Sequence, residues 1–264
     1  MPALAIFGIS GRMGQSLLRA LRDTSAFRLS GAIASPQSGR LGQDAAGEGA
    51  PTGVLITADP ALGIRGASAA VDFSSSGSVA AHARACAAAG VPLLIGVTGF
   101  DAATRSLLER TAKDIPVLIA PNTSVGVSVV AKLVSMAASG LGPSYDVEIF
   151  EAHHRTKRDA PSGTALALGE AVAGARGRDL DEVAVYDRAG QDAPRTHGSI
   201  GFSSMRAGDI VGEHTVTFAS DGERVEITHR ATDRITFARG ALRAAEWLIG
   251  QPAGLYGMHH MLGL

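Results

Sequence analysis

The chain has one cysteine, one tryptophan and three tyrosines in 264 residues, and its acidic and basic side chains nearly cancel to a formal charge of -1. Each scarcity removes a class of answer. Lone Cys86 can form no disulfide within the chain, which fits a reducing cytosol; in the Ala-rich run Ala80 to Ala89 it reads as a small buried hydrophobe of a helix. Near-zero net charge supplies no field for nucleic acid, and so few aromatics build no base-stacking platform. No uninterrupted apolar run reaches membrane length, and Met1 to Ile9 lacks the charged start of a secretion signal, so it reads as a first strand. No pair of His or carboxylate residues has the spacing of a helical metal site. The expectation is a cytoplasmic protein with small-molecule partners, no nucleic acid, no membrane and no metal.

Glycine is plentiful, at 33 residues, and its placement is informative. A composition 45% hydrophobic and 19% charged is that of a globular protein of one large domain or two ordinary ones. Residues 3 to 9 are an apolar run, followed by Ser10-Gly11-Arg12-Met13-Gly14 and an amphipathic pattern through Leu17, Leu18 and Leu21. That is strand, glycine turn and helix. Gly8, Gly11 and Gly14 form GxxGxxG, one residue longer than the usual dinucleotide fingerprint, yet supply the same tight turn, close approach to a pyrophosphate and close helix packing. The rhythm continues with strands at 27–34, 69–73, 93–95 and 117–120, and helices near 79–89 and 102–113. Short apolar runs bounded by turn residues fit a parallel sheet covered on both faces, whose ligands bind at the carboxyl ends of the strands. The predicted cofactor rim is therefore Gly8, Ile9, Ser10, Gly11, Arg12, Met13, Ser35, Gly96, Val97, Thr98, Ala120, Pro121, Asn122 and Thr123, with Ser74 beside them.

Beyond Ser124 the pattern changes to a helix at 126–139 and then mostly strands, with alternation at 196–206, 213–219 and 224–230 and a turn at Asp221-Gly222. The fold class expected is α/β, a Rossmann-type parallel sheet domain plus an α+β domain with a mainly antiparallel sheet. Residues 231–249 return to a helical period that packs back on the first domain, so the division is 1–124 completed by 235–264, and 125–234.

The chemistry is expected between Tyr145 and Ala173. Tyr145 to Glu151 alternates like a strand, and His153, His154, Arg155, Lys157 and Arg158 follow. If the strand continues, Glu151, His153, Arg155 and Lys157 share one face; if the chain turns helical, His153 and Lys157 are neighbours at i and i+4. Ser162 is a candidate N-cap for a helix running to about Ala173, whose free N–H groups at Gly163 and Thr164, with Lys157, would hold a carboxylate or a phosphate. His153 titrates near neutral pH and can move a proton. His214 and His229, at alternating strand positions, read as sheet-surface or interface residues, and His259-His260 as surface.

Gly8 to Gly14, Glu151-Ala152-His153-His154-Arg155-Thr156-Lys157 and Asp159-Ala160-Pro161-Ser162-Gly163-Thr164-Ala165 strongly resemble the 4-hydroxy-tetrahydrodipicolinate (dihydrodipicolinate) reductase family, as do 96–100, 120–122, 124–127 and 206–214. The resemblance covers nearly the whole chain. It implies an NAD(P)H-dependent enzyme of lysine and diaminopimelate biosynthesis, a Rossmann domain completed by the C-terminal helix, and a second domain that binds substrate and builds a homotetramer. It further implies hydride delivery to a cyclic imine dicarboxylate with loss of water, His153 as proton donor and acceptor, Lys157 as second proton donor and carboxylate partner, and substrate binding by His154, Gly163 and Thr164.

The chain departs from that family where many members end the second strand with an acidic residue and Arg; it has Ala34-Ser35-Pro36-Gln37. A carboxylate would bind the ribose hydroxyls of NADH and an Arg the extra phosphate of NADPH. Without a repelling carboxylate, and with Arg12 or Arg40 as reaching groups, the lean is to NADPH with NADH also accepted. Thr123 stands where an aromatic residue is common on the nicotinamide side. Two rivals are another two-domain amino-acid dehydrogenase and a non-catalytic cofactor sensor. A semialdehyde dehydrogenase needs an activated thiolate, and Cys86 has no base near it in sequence. A sensor would have no use for His153 and Lys157.

Overall fold

The computed structural model of the protein describes residues 1–46 and 49–264. They form two compact units, Met1–Val125 with Ile235–Leu264, and Gly126–Arg234. The first unit begins with β1 (Ala3–Phe7), buried along its whole length because parallel strands flank it on both sides. A glycine turn leads to α1 (Arg12–Arg22) and β2 (Arg28–Ile33), then β3 (Ile56–Thr57), α2 (Pro60–Gly63), β4 (Ala69–Asp72), α3 (Val79–Ala89), β5 (Leu93–Ile95), α4 (Ala102–Thr111) and β6 (Pro116–Ile119). The expected strands and helices of this half are all present. β3 and α2 were not expected; at two and four residues they are too short to show a period.

The second unit follows from α5 (Val125–Leu141) into β7 (Asp146–His153), α6 (Gly163–Ala175), α7 (Leu180–Val183), β8 (Ala184–Val185), β9 (Ile200–Arg206), β10 (Gly212–Ser220) and β11 (Glu223–Ala231). Its five strands lie in the order β11-β10-β7-β9-β8. β10 runs antiparallel to β11 and β7, whereas β9 joins β7, and β8 joins β9, in parallel. The sheet is thus mixed, because α6 and α7 carry the chain back between β7 and β9 as a crossover. One face of this sheet packs Val147, Ile149, Phe202, Val216 and Phe218 with the buried sides of α5 and α6.

The chain then returns to the first unit through α8 (Ile235–Ile249), β12 (Gly254–Tyr256) and α9 (Met258–Leu262), giving a seven-stranded parallel sheet β12-β6-β5-β4-β1-β2-β3. α8 buries Ala238, Ala241, Leu242, Ala245 and Leu248 in the core that also holds Leu4, Ile6, Leu17 and Leu118. Its approach is close. A Cβ at Gly240 would lie 1.9 Å from the Thr123 carbonyl oxygen, so only glycine lets the helix pass there.

Candidate active site

In the first unit the strand order brings the carboxyl ends of β6, β5, β4, β1 and β2 side by side. At the end of β1 the chain turns through Gly8 with φ +80°, a conformation that L side chains rarely adopt. Space is as restrictive as torsion: a Cβ on Gly8 would meet Phe73 O at 2.6 Å, and one on Gly14 would meet Gly8 O at 2.4 Å. Gly11 caps α1 without a side chain, leaving the helix start open to an anion. Beside this turn is a cavity of about 580 Å³ lined by Gly8, Ser10 and Gly11, by Ser35 to Ser38, by Ser74, Ser75 and Ser78, and by His82. A glycine cradle, an uncapped helix start and a hydroxyl-lined cavity fit the pyrophosphate and adenosine of a dinucleotide.

In the second unit the pleat and register assemble the polar residues. Glu151 and His153 are two apart on β7 and face the helices. Glu151 pairs with Ser204 on one side and His214 on the other, and His214 pairs with His229, so these residues form one row across the sheet. The next row holds Arg206 beside His153. Gly212 follows it, for a Cβ there would lie 3.1 Å from His153 Nε2.

Glu151 is wholly buried, and its carboxylate accepts two bonds from Arg206, at 2.6 and 2.9 Å, and lies 2.5 Å from His153 Nδ1. Burial pushes this carboxyl up, but Arg206, Ser204 and His153 outweigh it and hold it below the usual range. His153 is lowered by burial, which Glu151 partly offsets, while Lys157 and Arg206 lower it further. The carboxylate fixes the Nδ1 proton, which leaves Nε2, over Gly212, as the nitrogen able to exchange one. His214 meets the His153 ring edge-on with centroids 5.1 Å apart, and its Nε2 lies 2.9 Å from Ser162 Oγ. Burial, then the charge of His153, bring His214 down to about 4, so it is neutral near pH 7.

Ser162 is the N-cap of α6, accepting from Ala165 N at 3.2 Å, as expected. A Cβ on Gly163 meets nothing within 4 Å, so the space at the helix start is open. Lys157 donates to both carboxylate oxygens of Asp159 at 2.8 Å, which lowers that carboxyl. His154 Nδ1 lies 2.8 Å from Thr156 Oγ1.

Residues 3–123 match the family described as dihydrodipicolinate reductase, N-terminus, and residues 126–262 match dihydrodipicolinate reductase, C-terminus. The chain belongs to the dihydrodipicolinate reductase family. It is 51% identical over 262 residues to the 4-hydroxy-tetrahydrodipicolinate reductase of Thiobacillus denitrificans, covering 99% of this chain and 98% of that one. To the enzyme of the same name from Anaeromyxobacter dehalogenans it is 48% identical over 266 residues, covering 100% and 98%. Among solved structures, the dipicolinate-bound dihydrodipicolinate reductase from Paenisporosarcina sp. TG-14 shares the fold at a TM-score of 0.78 and 23% identity, covering 98% of this chain and 99% of that one.

The family's motifs are distributed over the structure as follows. Gly8, Ser10, Gly11 and Ser35 line the cavity, whereas Ile9 and Met13 turn their side chains into the core. Arg12 is exposed at the start of α1, while Arg40 is committed, its Nη2 donating to the carbonyls of Asp44 and Ala45 at 3.1 and 3.3 Å. Gly96, Val97 and Thr98 follow β5, and Ala120, Pro121, Asn122 and Thr123 follow β6, on the same edge of the sheet. The Thr123 hydroxyl donates to Phe237 O at 2.7 Å, so its side chain braces α8 and does not line the rim.

Two readings need correction. After His153 the chain is neither strand nor helix: Lys157 N bonds His154 O at 3.1 Å in a turn, and Ala207 N and Arg155 N tie the segment to the β9–β10 loop. His214 is no surface residue, being 4% exposed and set against His153. Arg206 and Glu151 were given no role by the sequence. Glu151-x-His153 on a strand is the local signal that they share a face; Arg206 has none without the register.

Proposed function

We propose that the first unit holds the nicotinamide cofactor and the second the substrate of a 4-hydroxy-tetrahydrodipicolinate reductase. The protein is an NAD(P)H-dependent oxidoreductase of lysine and diaminopimelate biosynthesis. It reduces 4-hydroxy-2,3,4,5-tetrahydrodipicolinate, with loss of water, to 2,3,4,5-tetrahydrodipicolinate. The cofactor, when bound, supplies the hydride. The chain's own residues supply charge, orientation and a proton. Gly8 to Met13, with Ser35, 96–98 and 120–123, hold the dinucleotide, Thr123 through its backbone. Gly163 and Thr164 at the α6 start, with His154 and Lys157, hold the substrate carboxylates. Lys157 exchanges the carboxylate of Asp159 for that of the substrate and is a second proton donor. His153 Nε2 delivers the proton that the reduced ring requires, while Glu151 keeps the imidazole in one tautomer.

The observation that carries the residue assignment is the 2.5 Å pairing of His153 with buried Glu151 beside the capped start of α6. That the Paenisporosarcina relative holds dipicolinate supports a dicarboxylate ligand. Lack of a carboxylate among the described residues lining the cavity, and exposed Arg12 beside it, support NADPH as the preferred cofactor with NADH accepted. Exposed Phe150 and Met205 on the outer face of the second sheet support a homotetramer, and the lone reduced cysteine suits the cytoplasm. The test is oxidation of NADPH and NADH side by side, with substrate generated in situ from pyruvate and aspartate semialdehyde by the preceding synthase. Turnover faster with NADPH is expected; dinucleotide binding without turnover would favour a sensing protein.

A further inference from the structure

We infer that the Asp72–His82 pair recognises the adenosine half of the nicotinamide dinucleotide, with His82 Nε2 as the contacting atom. This rests on the reductase reading, which puts a dinucleotide on the first unit, and it adds a residue outside the glycine turn.

β4 ends in Asp72, which is wholly buried. A buried carboxylate requires partners. Its Oδ1 accepts from Ser74 N at 2.9 Å and Ser74 Oγ at 2.6 Å, and Oδ2 lies 2.8 Å from His82 Nδ1. With both oxygens engaged, Asp72 is not available to ribose hydroxyls. Its effect is to fix the ring, which also lies flat on Phe7, centroids 4.0 Å apart and planes 14° apart. The Nδ1 proton is held by the carboxylate, so Nε2 remains for a ligand.

His82 belongs to the wall of the 580 Å³ cavity, and it is the one ionisable side chain among the described residues lining it. The same cavity has Ile33, Ala58, Pro60 and Ala81 as apolar surface for the faces of a purine. In the neutral ring, Nε2 carries a lone pair that accepts from an exocyclic amine or a ribose hydroxyl. Residues 34–37, directly after β2, are Ala-Ser-Pro-Gln and carry no acid for that task, and Ser35 is hydrogen-bonded to Gln37. Recognition of the nucleoside thus shifts from the end of β2 to the start of α3.

The test compares His82→Asn, which keeps an amide donor for Asp72 but loses the reach of Nε2, with His82→Gln, which restores the reach. Binding of NADPH, NADH, ADP-ribose and reduced nicotinamide mononucleotide is measured by calorimetry. The expected result is a loss of about fivefold to tenfold for the three adenosine-bearing ligands in His82→Asn. Mononucleotide binding is unchanged and His82→Gln recovers part of the loss. Unchanged ADP-ribose affinity, or equal losses for ADP-ribose and the mononucleotide, would overturn the inference. Should His82→Asn fail to fold, the imidazole nitrogen resonances of the wild type decide: the His82 signal moves on adding ADP-ribose, and an immobile signal overturns the inference. A wild type that binds neither dinucleotide removes the reductase reading itself, whereas intact dinucleotide binding with a silent His82 removes this inference alone.

Discussion

Glu151 raises the basicity of His153 by hydrogen bond and charge, against burial and the nearby Lys157 and Arg206. Glu151→Gln removes the favourable charge, so the histidine gives up its proton at lower pH than before. For an acid that must be protonated to act, the alkaline limb of kcat/KM should move to lower pH in that variant. A limb that stays in place would separate His153 from the proton transfer. The same change leaves Arg206 without its carboxylate, at a stability cost of about 3 kcal/mol in denaturant unfolding. His214 makes a second prediction at this scale. Its folded value of about 4 lies below the usual 6.5, so its contribution to stability is present above pH 6.5 and is lost as pH falls towards 4. The loss is on the order of 3 kcal/mol by pH 4. Unfolding measured at several pH values should show a shallower decline across this window in His214→Asn, and an unchanged slope would contradict the buried neutral imidazole.

The start of α6 is where side-chain chemistry becomes a property of an element. Ser162 Oγ caps Ala165 N and also meets His214 Nε2, so one hydroxyl joins the helix to the row of polar residues on the sheet. Ser162→Ala should cost about 1–2 kcal/mol of stability through the lost cap. It should also raise KM for the dicarboxylate several-fold with little change in kcat, because Gly163 and Thr164 lose their fixed position; an unchanged KM would place the substrate elsewhere. This helix start was legible in the sequence because its signals, Ser162 before an apolar run, lie within a few residues. So was the glycine turn after β1, for the same reason. The row itself was not. Ser204, His214 and His229 come from three strands, and which of their alternating faces meets Glu151 depends on the register of β9, β10 and β11. Two-residue alternation at His214 is equally compatible with either face, so it could not tell a surface or interface position from one against His153. β3 and β12 escaped notice because such short strands exist only by pairing with a neighbour already in place.

At the scale of the whole molecule, the second unit has one face of its sheet covered by its own helices and the other bearing exposed Phe150, 41% accessible, and Met205, 45% accessible. They stand on adjacent parallel strands with Ala152 opposite Met205 and Ser203 opposite Phe150, so the two apolar side chains share the outer face. Thr215 opposite Thr228 continues the Phe150 row without a formal charge, while the Glu213–Arg230 ion pair stands in the Met205 row at one margin and Glu148, Glu226 and Arg224 lie towards the other. An apolar centre with a charged margin is the composition of an interface that persists, and a second copy of the same sheet supplies a surface of matching character. Phe150→Glu with Met205→Glu puts carboxylates at the centre of that surface, where each lacks a partner. If the proposed homotetramer forms and is built on this face, desolvating them should weaken association by about 3 kcal/mol, on the order of a hundredfold in the dissociation constant. Sedimentation should then show smaller species at concentrations where the unaltered chain is fully assembled. The buried core of the second unit, drawn from Val147, Ile149, Phe202, Val216 and Phe218 on the opposite face, is untouched, so its thermal transition serves as the control for folding. A variant that remains fully assembled at every concentration would move the interface to another surface.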